Sequence, residues 1–573
     1  MKKILSIFAA SLICIAVSTS CIKEIDPQGS TITADQAQEA NGSFANFVST
    51  ITSTLVGEFV YYGSSSYPFD YGYPSFFIWR DIMGMDLTAN SSTWYYAPMM
   101  YFTYLGPTYA YCQFPWTCYY TWIKNCNTVL AMVGDNPEEG EETEGAGIAY
   151  CIRAMMYMDL ARMFAQRTPI EDSTAETVPI ITQNTTVVES TTNARATNEV
   201  MWDFIISDLD LAETYLADYV RDDVFTPDVS VVYGLKARAY LQMGEWQNAY
   251  DYAQKAQEGY TPTTNDEWTS WTDGFNTPTS GWMFGVNHKS TDPALQDNDA
   301  DTSWGAQMII EVGPSECGYA ANYGDPKYID RHLYETIPDT DIRKSVFIDF
   351  AIDDMDLIDE NGDQNPDAVE FLSAYSEQPE YLIVTAEATD RYTAGGMELK
   401  FRPAGGEHDN QYLAFLVSVP LMRVEEMMLI EAEAAYRKGS TSEAISTLNE
   451  LGQLRDPSYD ASSYVHNEAY GNSSTDAFVN EVWWQRRVEL WGEGFATFDI
   501  KRLDKGVIRN YTDTNWEEGI RWNYGYYDVN QGIYPNWMDW CIVQTETNYN
   551  EACTNNPTAE QPDEDSPEFT SFD

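Results

Sequence analysis

PLMRVEEMMLIEAEAAYRKGSTSEAISTLNELGQLRDP, residues 420–457, reads as two helices joined by a short turn. Met422, Met427, Ile430, Ala434 and Ala435 recur at helical spacing, and Lys438-Gly439 ends the run. Ser440 and Glu443 have the spacing of a capping box, in which a hydroxyl and a carboxylate each take an orphan N–H. Ala444, Leu448 and Leu451 carry a second helix, and Pro457 closes the unit. VVYGLKARAYLQMGEWQNAYDYAQKAQEGYTP, residues 231–262, repeats the pattern. Ala237, Ala249 and Pro262 stand at the same offsets as Ala432, Ala444 and Pro457. Small residues there let antiparallel helices approach closely, as in a tetratricopeptide-like pair. Two unrelated helical hairpins would read the same way.

The continuation, VWWQRRVELWGEGFATFDIKR (482–502), narrows the choice. Gln485-Arg486-Arg487-Val488-Glu489-Leu490, Glu493-Gly494 and Phe498-Asp499-Ile500-Lys501-Arg502 resemble the C-terminal signature of the SusD/RagB family of surface glycan-binding lipoproteins. Gln485 stands where that signature usually has Glu, and Ala496 where an Arg often follows; both departures fall in what reads as a structural ion-pair network. Arg486 and Glu489 are three apart and can pair on one helix face. Residues 149–166, AYCIRAMMYMDLARMFAQ, are similar to a second family helix through Arg153, Tyr157, Asp159, Leu160, Arg162 and Phe164, with Val178-Pro179-Ile180 trailing. Asp339, Asp341 and Arg343 resemble the family's DxDxR turn. The resemblance implies a mainly α fold: a tetratricopeptide-like helix-pair scaffold with long loops and a few short strands. It also implies a non-enzymatic protein that captures glycan and passes it to a SusC-like, TonB-dependent outer-membrane transporter.

Lys2-Lys3, the apolar run Ile4–Val17 and the small residues Ser18-Thr19-Ser20 before Cys21 read as a lipoprotein signal. Cys21 is then the lipidated residue, anchoring the chain to the outer membrane without a spanning helix. The expected layout is a signal peptide at 1–20 and one domain over 21–573. Within it lie a helical part at about 34–262, a loop-rich ligand side at 263–415, a helix-pair part at 416–510 and an irregular tail at 511–573. The tail from Glu560 is acidic, Pro-rich and expected to be disordered.

With 89 Asp and Glu against 32 Lys and Arg, the net charge of −57 argues against nucleic acid, whose phosphates would be repelled. Tyr and Trp number 40 and 17, more than a core requires, and both combine an apolar face with a polar edge. Such rings take the C–H faces of a sugar while Asn and Asp take its hydroxyls. Two loop-rich aromatic regions offer candidates: Trp94, Tyr95 and Tyr96 in the first, Trp271, Trp304, Tyr319 and Tyr323 with Asn287 and Asp301 in the second. Peptide or glycoprotein cargo on the same fold is the alternative, and an α-helical glycoside hydrolase a further one.

Further expectations concern local structure. A helix spans 34–58, with Phe44, Phe47, Val48, Ile51 and Leu55 on one face. Residues 116–133 and 197–216 are helical, and Asp135–Glu144 forms a solvated acidic loop. Trp282–Val286 and Met308–Val312 read as short strands. Cys112–Cys118 and Cys541–Cys553 are candidate bridges. No cofactor is expected. Asp359, Asn361 and Asp363 could wrap a structural Ca²⁺, although an Asx-rich turn explains them more simply.

Overall fold

The computed structural model describes residues 43–58, 69–90, 95–296, 300–313, 318–389, 393–468, 475–524, 535–559, 561–570 and 572. Of residues 1–46 only Ser43–Asn46, the opening turn of the first helix, are described; the described residues from Phe47 onward form one compact unit. Cys21 and Trp94 lie outside the described residues.

The helices of eight or more residues are α1 (Ser43–Ser53), α2 (Ser75–Ile82), α3 (Ala110–Val133), α4 (Glu141–Phe164), α5 (Asn198–Tyr215), α6 (Val229–Met243), α7 (Trp246–Gln257), α8 (Pro379–Glu387), α9 (Val424–Arg437), α10 (Thr441–Arg455), α11 (Ala477–Glu489) and α12 (Ala496–Leu503). Strands β1 (Leu87–Thr88), β2 (Trp282–Asn287), β3 (Tyr328–Ile329), β4 (Ser418–Arg423), β5 (Val507–Ile508) and β6 (Asn523–Tyr524) form three antiparallel pairs, β1–β3, β2–β4 and β5–β6. The fold is mainly α. Helices α3 to α7 pack in succession, α7 packs on α9, and α9 packs on α10 and α11. The two hairpins read from the sequence are therefore neighbours in one helical layer. Ala237, Ala249, Ala432 and Ala444 are fully buried at their contacts. Gly234 shows how close the approach is: a Cβ there would sit 2.3 Å from the Met422 sulfur.

Local chemistry explains the departures from the sequence reading. Pro420 to Arg423 belong to β4, paired with β2 in a register that sets Val419 against Val286; the helix opens only at Val424. Ser440 precedes α10, but its side chain makes no capping bond. Glu443 instead accepts a hydrogen bond from the Tyr250 hydroxyl at 2.5 Å, tying α10 to α7. The acidic stretch is only partly a loop. Glu141, Glu142 and Glu144 form the first turn of α4, where negative charge meets the positive end of the helix dipole. Met308 ends a short helix, Trp304–Met308, and no strand follows it. The described part of the acidic tail is docked rather than disordered. Asp565 accepts from the Gly519 and Arg521 amides, and the Phe569 amide donates to the Asn510 carbonyl at 2.8 Å.

Neither sequence-paired bridge forms: Cys112, Cys118, Cys541 and Cys553 are buried free thiols. Cys112 and Cys118 sit on one unbroken helix, α3, whose rise of 1.5 Å per residue holds them about 9 Å apart, beyond disulfide reach. Cys541 and Cys553 direct their sulfurs to different carbonyls, of Pro557 and Thr554.

The signature charges form a buried cluster. Glu489 on α11 accepts from Arg455 at 3.1 Å, Arg343 at 3.2 Å and Arg423 at 3.3 Å. Glu493 joins Arg423 at 2.8 Å and Lys400 at 2.6 Å, Glu425 joins Arg423 and Arg455, and Asp341 holds Arg343 at 2.6 Å. Burial alone would raise the Glu489 carboxyl, but Arg455, Arg423 and Arg343 outweigh it and hold the group far below the usual carboxylate range. Arg486 does not pair with Glu489 as its spacing suggested; its Nε donates to Asp499 at 2.6 Å. Gln485 remains in the cluster and accepts from Arg343 at 2.9 Å. Ala496 contributes its amide to Asp81 at 3.1 Å. On α4, Arg153 clamps Asp208 with two bonds of 2.7 and 2.8 Å. Asp159 accepts from Tyr73, Tyr119 and Arg162. These residues are structural ties between helices.

Candidate ligand surface

Three of the sequence candidates meet in space. Tyr95 lies just before the short helix Ala97–Met100. Tyr319 lies in the helical turn Gly318–Asn322, and Tyr323 follows it. Tyr319 meets Tyr95 edge-on at 5.6 Å and Tyr323 at 5.2 Å. Tyr95 in turn meets the buried Phe69 at 6.0 Å. The rings form a ladder from the core outward, ending at Tyr323, which is 43% exposed. The turn carrying Tyr319 is fixed by Asp301, whose Oδ1 accepts the Gly318 amide at 2.6 Å. Gly318 has φ of +79°, and a Cβ there would sit 2.9 Å from the Phe415 ring; both features favour glycine.

Burial, with Tyr95 alongside, pushes the Tyr319 hydroxyl well above the ordinary tyrosine range. It stays neutral over the physiological range and keeps its proton for donation. A row of partly buried phenols held on packed elements can meet an apolar face and bond to hydroxyls.

Tyr96, Asp301 and Trp304 are buried, which corrects their reading as contact residues. The Tyr96 hydroxyl lies 2.7 Å from that of Tyr71, and Lys327 sits over its ring at 5.2 Å. Trp304 packs on Phe401 at 5.3 Å and Phe77 at 6.0 Å. Asp301 and the Trp304–Met308 helix support the turn that carries Tyr319. Trp271 is elsewhere: half-buried, with the Arg402 guanidinium 5.9 Å from its ring. Asn287 ends β2 and accepts from the Ser418 hydroxyl at 3.1 Å.

Residues passed over in the sequence reading are also exposed. Tyr104 and Tyr109 meet edge-on at 5.1 Å and are 58% and 45% exposed. Tyr412 and Leu413 sit on the short helix Gln411–Ala414, just ahead of Phe415, whose ring packs on Gly305 and Gly318. The pattern of four residues was too short to mark that helix. A separate polar cavity of about 460 Å³ is lined by Arg167, Asp172, Glu176, Arg195, Asp539 and Asn555 among others. The Arg195 guanidinium there is committed to Thr177, Phe164, Glu176 and Asn556.

The possible Ca²⁺ loop is an Asx turn. Asp359 Oδ1 accepts the Asn361 and Asp363 amides at 2.8 and 2.9 Å, and its Oδ2 takes the Asn361 side chain at 3.1 Å. Among the described residues, no group of three or more His, Cys, Asp or Glu side chains is placed to hold a metal. No described helix is long and apolar enough to cross a membrane.

Comparison with known proteins fits this architecture. A profile described as "Starch-binding associating with outer membrane" matches residues 35–241, and one described as "SusD family" matches residues 373–558. The chain belongs to the SusD/RagB family. A SusD-like protein of Formosa agariphila is 22% identical over 437 residues, covering 75% of this chain and 76% of the relative. Among solved structures, a SusD-like carbohydrate-binding protein of Bacteroides vulgatus shares 21% identity with a TM-score of 0.63, covering 89% of this chain and 97% of the other. Surface glycan-binding protein A of Bacteroides thetaiotaomicron, solved with laminarihexaose, shares 16% identity with a TM-score of 0.61, covering 89% and 97%. The SusD-like fold thus extends well beyond the two matched segments.

Proposed function

We propose that this SusD/RagB protein binds a neutral glycan at the ladder Tyr95–Tyr319–Tyr323 and passes it to a SusC-like, TonB-dependent transporter. Cys21 carries the lipid that holds it at the cell surface. The observation that carries this reading is the run of rings from buried Phe69 to exposed Tyr323 on a fixed turn. Rigid rings with neutral hydroxyls lose little entropy on binding a sugar. The family relation supports the reading: one structural neighbour is described as a laminarin-binding SusD-like protein. The protein acts by binding, without catalysis. Glu425, Glu489 and Glu493 are committed to guanidinium pairs, and Asp81 is buried and accepts two backbone amides. None of these stands as a free pair of acids across a cleft.

Affinity electrophoresis of the chain from residue 22 through gels of laminarin, starch and other neutral polysaccharides tests the reading, with released reducing sugar measured on the same samples. Retardation by one polymer without sugar release is the expected result. Tyr323→Ala and Tyr319→Ala should weaken it by about 5- to 150-fold, at about 1–3 kcal/mol per lost ring. Sugar release would establish a hydrolase instead. Unchanged retardation in both folded variants would remove the ladder as the site.

A further inference from the structure

The cysteines read as intra-segment bridges are brought together in a different pairing. Cys112 lies near the start of α3, and Cys541 more than 400 residues later in the C-terminal segment. Both side chains are buried, and the two thiols lie close enough to shift each other's proton affinity. The surrounding backbone interleaves the two segments. The Gln544 amide donates to the Pro107 carbonyl at 2.9 Å, and the Thr545 hydroxyl donates to Gln113 at 2.6 Å. A Cβ on Gly106 would sit 3.6 Å from Thr558, whose hydroxyl is 3.7 Å from the Cys541 sulfur. The Cys112 sulfur lies 2.8 Å from the Leu105 carbonyl oxygen on the same side of the junction. Trp540, next to Cys541, stacks on Trp79 of α2 with ring centres 5.8 Å apart. The two thiols are thus brought to one junction by contacts on both flanks.

We propose that Cys112 and Cys541 are a disulfide-forming pair that locks the C-terminal segment onto α3 when the chain meets a low-molecular-weight disulfide oxidant. The Cys541 thiolate attacks one sulfur of the oxidant, giving a mixed disulfide and one released thiolate. Cys112 then gives up its proton and attacks the Cys541 sulfur, expelling the second thiolate. Two protein thiols become one disulfide, and the oxidant leaves as two thiols carrying the two protons. The interaction with Cys112 lowers the Cys541 thiol and, together with burial, raises the Cys112 thiol, so Cys541 supplies the attacking thiolate. Cys118, Cys126 and Cys151 have no such help: burial pushes each thiol upward. The inference is independent of what the protein binds.

The test is peptide mapping of the full chain by mass spectrometry. One sample is treated with oxidised glutathione in the folded state, and another is refolded from guanidinium in a glutathione redox buffer. Both are then denatured and alkylated without reductant. The expected product is one cross-linked peptide pair containing Cys112 and Cys541, lighter by two hydrogens and released by reduction. Cys118→Ser should leave the link intact, whereas Cys112→Ser should return Cys541 as an alkylated thiol. Alkylation of both Cys112 and Cys541 after either treatment overturns the proposal. So does either residue appearing mainly in a link to another cysteine.

Discussion

Glu489→Gln is the most informative single change. It keeps the shape of a side chain that three guanidiniums share, and removes its charge. The cluster holds four cations (Arg343, Lys400, Arg423, Arg455) and four carboxylates (Asp341, Glu425, Glu489, Glu493), with side chains at most 4% exposed. The substitution leaves one positive charge uncompensated in that interior. It also turns an amide N–H₂ toward guanidinium donors 3.1–3.3 Å away. Breaking a buried pair from one side costs about 3–5 kcal/mol. At about 2.1 cal/mol/K of unfolding entropy per residue, a chain of this length converts about 4 kcal/mol into a midpoint lower by about 3–4 °C. Differential scanning calorimetry at pH 7 reads this directly. Asp339→Asn, which removes a partner of Lys344 at a 94% exposed carboxylate, is the control and should not move the midpoint. The pH dependence has a definite sign. Glu489 is depressed in the folded state, so its stabilisation is present at neutral pH and lost as pH falls below the ordinary glutamate value of 4.5. The gap between wild type and Glu489→Gln should narrow there. A midpoint within 1 °C of wild type at pH 7 would refute the reasoning, because it would mean the charge is compensated by water or by relaxation.

Three further outcomes follow from single sites. Glu398 is fully buried; burial pushes its carboxyl up to about 8 even though the Phe401 and Lys400 amides favour the charged form. The folded state therefore holds a proton that the unfolded state releases, and stability from this group falls as pH rises from about 4.5 to 8. Glu398→Gln should gain on wild type across that range by up to about 1.4 kcal/mol per pH unit, read from urea midpoints at pH 5, 6.5 and 8. Gly234→Val should destabilise by about 1–3 kcal/mol, because its side chain would enter the space of the Met422 sulfur; a urea midpoint unchanged from wild type would show that Met422 swings away freely. Asp301→Ala removes the acceptor of the Gly318 amide, so glycan affinity should fall while thermal stability changes little, a split that titration calorimetry and scanning calorimetry resolve together.

The scaffold was legible in the sequence because its signals are local. Helix spacing, small residues and terminating Gly and Pro place both hairpins, and Trp282–Val286 reads as the strand that forms. What escaped was set by distant partners. Pro420–Arg423 looks like helix but pairs with β2, because a backbone 130 residues away supplies its hydrogen bonds. The Arg486–Glu489 spacing is ideal for a helix-face pair, yet each side chain finds a stronger partner across the fold, Asp499 for one and three arginines for the other. The candidate site was half legible. Loop position and residue type pointed to Tyr95, Tyr319 and Tyr323, but could not tell them from Tyr96 and Trp304, whose burial depends on Tyr71, Phe77 and Phe401. Cys112 and Cys541 show the same limit: the residues stood out, and their partners did not.

The first and last thirds of the chain complete each other. Asp81 on α2 is buried and takes its hydrogen bonds from the amides of Gly494 and Ala496. Arg509 closes the carbonyls of Ile82, Gly84 and Met100. A chain stopped before residue 494 would leave that carboxylate and those carbonyls without their partners. These bonds of α2 and the loop after it therefore form only once the C-terminal third has been made. Contacts of such sequence separation close late and slowly. Completion of the fold around α2 therefore waits on the arrival of the last third of the chain.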